Sequence, residues 1–136
     1  MKDQHPTPVI TPHIEEQIAR AREGEFVIQQ CQRDNAVWFP PSTNCPRCLG
    51  TDLSWQPVSG KATLWSWVSV HQPYLKAFAD ETPYLVAYVK LEEGPFLMTT
   101  VVETDPDTLK LDQPLELLLQ PYGREDMPMP VFRPAA

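Results

Sequence analysis

The sequence predicts a mainly β protein with one short N-terminal helix, a pair of small β-hairpins and a C-terminal barrel. Three observations carry that prediction. Proline occupies 16 of 136 positions and glycine only 5, against an average of about 5% proline, so long helices are nearly excluded. After Gly24 the apolar periodicity changes from helical to alternating. Short β-type runs then follow one another at the spacing of a small barrel or sandwich.

The elements justify themselves in order. Residues 1–10 are polar and proline-bearing and read as an arm. Thr11-Pro12 reads as a helix start, with a hydroxyl at the N-cap and proline at the first helical position. Glu15 and Glu16 suit the positive end of the helix dipole, Arg20 and Arg22 suit the other end, and Gly24 suits the C-terminal cap. Ile14, Ile18 and Ala21 make a narrow apolar stripe, which predicts docking on a larger body. Phe26–Cys31 and Ala36–Phe39 read as two strands around the turn Asp34-Asn35, and Leu53–Val58 as a third. From Gly60 onward the candidate strands are Ala62–Val70, Tyr84–Leu91, Phe96–Val102 and Leu115–Gln120. The stretch His71–Ala79 reads as a loop or a single helical turn. In Thr63–Val70, simple alternation puts Leu64, Ser66, Val68 and Val70 on one face and Thr63, Trp65, Trp67 and Ser69 on the other. Large apolar groups on both faces predict a strand covered on both sides. Four or five strands in about 70 residues fit a Greek-key barrel of the OB-fold type. The ending Met127–Pro134 alternates proline with apolar residues and reads as an edge or extended segment docked on the barrel or on a partner. The parts divide as an arm and helix over 1–24, a hairpin module over 25–59 and the barrel with its proline-rich end over 60–136.

Composition limits the function classes. The net charge is −7, and an acidic surface repels phosphate backbones, which disfavours a general nucleic-acid binder. The longest apolar run, Tyr84–Val89, is far below the roughly 20 residues of a membrane helix. Residues 1–6 contain no apolar signal core, and three cysteines are an odd number for a disulfide scaffold. Both point to a cytoplasmic protein.

Cys45-Pro46-Arg47-Cys48-Leu49-Gly50 has the form of a zinc knuckle, with two thiolates on one tight turn and a glycine that permits it. A second pair is needed. Cys31 lies on the upstream hairpin, and the position expected for its partner holds Asp34. The candidate metal set is therefore Cys31, Asp34, Cys45 and Cys48. A carboxylate is a legitimate zinc ligand, although structural sites favour Cys and His. Two readings stand: a bound zinc ion, or a hairpin that has lost its metal and is held by packing. A redox CxxC is disfavoured because no βαβ pattern surrounds it. His5, His13 and His71 are scattered and read as surface or turn residues. No nucleophile elbow and no glycine-rich phosphate loop is visible, so no catalytic residue is assigned. Glu92-Glu93 before Gly94 reads as a solvated hairpin turn. Trp38, Trp55, Trp65, Trp67, Tyr84, Tyr88 and Phe96 could stack bases on a barrel. The acidic charge favours the other reading, in which they fill a small core and a subunit interface.

The order of these parts resembles the DUF35 family of OB-fold proteins with a rubredoxin-like zinc ribbon. The residues that carry the likeness are Cys31, Phe39-Pro40-Pro41, Cys45-Pro46-Arg47-Cys48, and Asp52-Leu53-Ser54-Trp55 leading to Ser59-Gly60. In the barrel they are Pro83–Val89, Leu91–Gly94 and the closing Pro130-Val131-Phe132-Arg133-Pro134. The likeness runs over residues 11–134. Two departures stand out: Asp34 replaces a usual cysteine, and Ala62 replaces a frequent second glycine. The resemblance implies a non-catalytic accessory subunit that binds and supports a thiolase-superfamily enzyme (a thiolase, acyltransferase or lipid-transfer-protein-like aldolase) acting on acyl-CoA. Some members accompany MaoC-like hydratases, and in some assemblies the barrel lines the coenzyme A path. The implied partners are such an enzyme in a hetero-oligomer and an acyl-CoA thioester contacted within the complex, with no membrane. The alternative is a stand-alone module for single-stranded nucleic acid. That module needs a basic stripe, whereas Arg20, Arg33, Lys61, Lys90 and Lys110 are dispersed.

Overall fold

The computed structural model describes residues 9–122 and 124–135. It contains one α-helix, α1 (Glu15–Arg22), and eight strands. Strands β1 (Val27–Cys31), β2 (Val37–Trp38) and β3 (Leu53–Pro57) form an antiparallel sheet in the order β2-β1-β3. Strands β4 (Lys61–Val70), β5 (Tyr84–Leu91), β6 (Phe96–Thr99), β7 (Pro114–Tyr122) and β8 (Arg124–Pro134) form a second sheet in the order β6-β5-β4-β7-β8. This sheet curls until its two ends meet. Val101 bridges Phe132, Val102 N donates to Phe132 O at 2.8 Å, and Phe132 N donates to Thr100 O at 3.1 Å. The fold class is thus mainly β, with one short helix and a curled barrel sheet. Among the described residues no helix is long and apolar enough to cross a membrane.

The helix starts later than its sequence suggests. Thr11 Oγ1 is engaged with His13 Nδ1 at 3.1 Å, and Ile14 takes the N-cap position without a side-chain cap. The C-terminal end follows expectation. Gly24 has φ +92°, its N–H donates to Ala21 O, and Glu25 N donates to Arg20 O, which together make a Schellman cap. Ile18 and Ala21 are buried, and α1 packs on β8 and β1. The narrow stripe docks on the sheets, as its width requires.

One core joins the two sheets. Phe26 and Ile28, at the start of the small sheet, belong to the same buried cluster as Leu64, Val89, Leu97, Leu115 and Phe132 of the barrel. The expected strand Phe96–Val102 ends at Thr99, beyond which the chain turns to bridge β8. The proline-rich ending is a strand of 11 residues, β8. Its edge position accommodates prolines that cannot donate to a ladder, while Phe132 supplies both remaining closing bonds.

The expected face assignment along Thr63–Val70 does not hold. The β4–β5 register shifts between Leu64 and Ser66, so Trp65 is an extra residue in a β-bulge. A single inserted residue reverses the alternation. Ala62 and Leu64 face inward before the bulge, and Trp67 packs on the core after it, opposite buried Ala87. Trp65 and Val68 are left on the outer surface, 51% and 59% exposed. The strand is therefore covered on one side only.

Candidate functional site

The four residues singled out as metal ligands come together. Cys31 ends β1, and its N–H donates to Ala36 O at 2.8 Å, closing the turn that carries Asp34. Asn35 takes φ 61°, which an asparagine tolerates. The opposing turn is closed by Cys45 N to Gly50 O at 2.8 Å and Leu49 N to Cys45 O at 2.9 Å. Two hairpin turns thereby face each other, and the ligand atoms of Cys31, Asp34, Cys45 and Cys48 all lie within 4.8 Å of one another.

The finer geometry suits a tetrahedral ion. Cys31 Sγ is 3.6 Å from Cys48 Sγ, and Cys45 Sγ is 3.6 Å from Asp34 Oδ2. A tetrahedron with zinc–sulfur bonds of about 2.3 Å has edges of about 3.8 Å. Backbone amides point at the sulfurs: Arg47 N and Cys48 N approach Cys45 Sγ at 3.4 and 3.5 Å, and Gly50 N approaches Cys48 Sγ at 3.4 Å. Such donors stabilise thiolate over thiol. A Cβ on Gly50 would sit 3.2 Å from Cys48 Sγ and 3.4 Å from Arg33 Cδ, so the glycine keeps the sulfur's surroundings clear. Asp34 divides its carboxylate. Oδ1 accepts from Ala36 N at 2.9 Å, while Oδ2 is directed toward Cys45.

Electrostatics separate the ligands. Burial pushes the Cys31 thiol up to about 11, against lowering by the N–H groups of Asp34 and Arg33. Cys45 is also buried, and burial is the strongest single influence on it. Hydrogen bonds from the N–H groups of Cys48 and Arg47 and from the Cys48 and Cys31 side chains together outweigh burial and hold it below the ordinary thiol range. The Ala36 N–H holds Asp34 below the usual carboxylate range. A divalent cation would remove the penalty that burial places on Cys31. Trp38, Ala36 and Leu53 pack around the sulfurs and shield them from solvent.

The remaining sequence candidates stay apart from this centre. His13 bonds Thr11 in the turn before α1, His71 is exposed beyond β4, and His5 lies outside the described residues. Glu92-Glu93 forms the β5–β6 turn, yet Glu93 is not simply solvated, since its Oε2 accepts from Ser59 N at 2.8 Å. Of the aromatic residues, Trp67 packs on the core, whereas Trp65, Tyr88 and Phe96 meet outside. Trp65 lies edge-on to Phe96, and Tyr88 stacks on it, both with ring centroids 5.1 Å apart. Sequence reading missed Met98 and Val68 on the same surface. The alternation Phe96-Leu97-Met98 was a usable signal for the first, but Val68 is hidden by the bulge.

A small three-stranded sheet with a Cys/Asp centre, set on a closed curled barrel, defines a ribbon-plus-OB-fold protein. Comparison with known proteins gives the family. Residues 55–120 match the family model of the ChsH2 C-terminal OB-fold domain. A DUF35 domain-containing scaffold protein of Methanothermobacter thermautotrophicus is 31% identical over 97 residues, covering 71% of this chain and 72% of the relative. The chain belongs to the DUF35 family. A chain in the solved structure of the Ltp2-ChsH2(DUF35) aldolase matches with a TM-score of 0.84 and 32% identity, covering 96% of this chain and 100% of that one. A probable enoyl-CoA hydratase alpha subunit of Thermomonospora curvata is 35% identical over 115 residues. The match covers 85% of this chain but 35% of that relative, so the chain spans about a third of its length.

Proposed function

We propose that this chain is a non-catalytic accessory subunit of an acyl-CoA-processing enzyme of the thiolase superfamily, with an aldolase of the Ltp2 kind as the best-supported partner. The observation that carries this reading is the end-to-end match to a chain of the Ltp2-ChsH2(DUF35) aldolase, at 32% identity and 100% coverage of that chain. Scaffold proteins among the relatives support the accessory role, and an enoyl-CoA hydratase subunit supports coenzyme A thioesters as the substrate class.

In this reading Cys31, Asp34, Cys45 and Cys48 hold a structural zinc ion. When bound, zinc supplies a cross-link between the two turns. The chain's contribution is to present the ligands: amides hold Cys45 ready, Ala36 orients Asp34, and Trp38 excludes water. Three thiolates and a carboxylate leave no ligand position for a substrate, which is the signature of a structural site.

The test is an activity assay of the partner enzyme subunit, purified from the same source, with and without this chain. A rise of tenfold or more on adding the chain, with no turnover by the chain alone, is expected. Equal activity in both arms, or turnover by the isolated chain at enzyme-like rates, contradicts the reading.

A further inference from the structure

We infer that the outer face of strands β4, β5 and β6 is the surface that docks on the enzyme partner. The inference rests on the accessory-subunit reading and adds to it the location and chemistry of the contact.

The face is built by register. Ser66, Tyr88 and Met98 stand side by side across three strands, as do Thr63, Lys90 and Phe96. The bulge pushes Trp65 out between these rows, where it meets Phe96 edge-on. Val68 and Val86 continue the surface along the strands, beside a shallow hollow of about 420 Å³. Met98 is 71% exposed. A fold that buries Leu64, Val89 and Leu97 on the inner side of these strands leaves a tryptophan, a tyrosine, a phenylalanine and a methionine on the outer side. Exposed contiguous apolar surface marks an interaction site, and aromatic residues and methionine are the types enriched in interface centres.

Charge selects the occupant. The chain carries 18 acidic residues, yet β4, β5 and β6 contain none. The face has one central cation, Lys90, whose Nζ lies 5.9 Å from the centre of the Phe96 ring. Acidic residues are depleted at interface centres, so their absence fits a surface that is covered. A second copy docked on this face would set Lys90 near Lys90, with no carboxylate from these strands to pair either. A single-stranded nucleic acid would meet two lysines, Lys61 and Lys90, on a molecule of net charge −7. The complement is a protein surface that is apolar at its centre and offers a carboxylate to Lys90. The homologous chain of the Ltp2-ChsH2(DUF35) aldolase makes an aldolase-type or thiolase-type subunit the occupant to test.

The experiment uses the tagged full chain expressed in its native source, with quantitative mass spectrometry of the proteins that co-purify. Met98→Glu and Lys90→Glu place a carboxylate on the face. Met98→Gln is the milder variant, and Leu49→Glu is an exposed control on the Cys45–Cys48 turn. Melting temperatures check that each variant is folded. The expected result is an aldolase- or thiolase-class subunit on the wild type, reduced at least tenfold by Met98→Glu and by Lys90→Glu, reduced less by Met98→Gln and retained by Leu49→Glu. Full retention by the folded face variants overturns the inference and leaves the accessory role standing. Loss with Leu49→Glu alone does the same. If the wild type yields only itself, or only nucleic acid, the accessory reading fails and the inference fails with it.

Discussion

Asp34 is the residue on which the proposed metal centre turns. Its oxygen is harder than a thiolate and suits zinc less well among sulfurs. Replacing Asp34 with Cys is expected to tighten zinc binding at least tenfold and to raise the melting temperature, because metal-binding free energy becomes folding free energy. Competition with a chromophoric chelator measures the first and calorimetry the second. Cys45→Ser is expected to release the metal and lower the melting point. If wild-type protein grown with excess zinc carries none, and Cys45→Ser melts unchanged, packing alone holds the turns. The meeting of Cys31, Asp34, Cys45 and Cys48 was legible because knuckle spacing is local in sequence. The division of the Asp34 carboxylate between Ala36 and Cys45 was not legible, since it depends on how two turns approach each other.

Among the elements, β4 shows most clearly where pattern reading stops. Its ten residues alternate well enough to be recognised as a strand, but a bulge has no composition of its own. Trp65 and Trp67 look equivalent in sequence and end on opposite sides of the sheet. Deleting Trp65 would remove the bulge and leave Ser66 opposite Tyr88 and Trp67 opposite Ala87, with the core side of the sheet unchanged. That variant is expected to keep a native-like circular dichroism spectrum and Trp65→Ser to melt within a few degrees of wild type, whereas loss of the β signal on deletion would contradict the bulge. Strand β8 is legible only as an edge or extended segment, because prolines mask strand propensity. Pairing with β7 from Pro128 to Pro134 and closure through Phe132 make it a strand. Phe132 is fully buried, and Phe132→Ala is expected to cost about 3–5 kcal/mol, measurable by urea denaturation.

For the whole molecule, the order helix, ribbon, barrel could be read from the sequence, but the shared core could not, because Phe26 and Ile28 meet barrel residues that lie far away in the chain. A fragment of residues 60–136 would expose the part of its core that Phe26, Ile28 and α1 cover. It is expected to lack a cooperative melting transition, while the full chain shows one. The outer sheet face has the opposite need, for cover from another protein. Partner binding stabilises the native state by mass action, so the chain is expected to melt higher in its complex than alone. The most direct test of the accessory-subunit account is native mass spectrometry of the assembly isolated from the source at endogenous levels. The account predicts a hetero-oligomer of this chain with an aldolase- or thiolase-class subunit in fixed stoichiometry. The chain found only as a monomer or a homo-oligomer would contradict it.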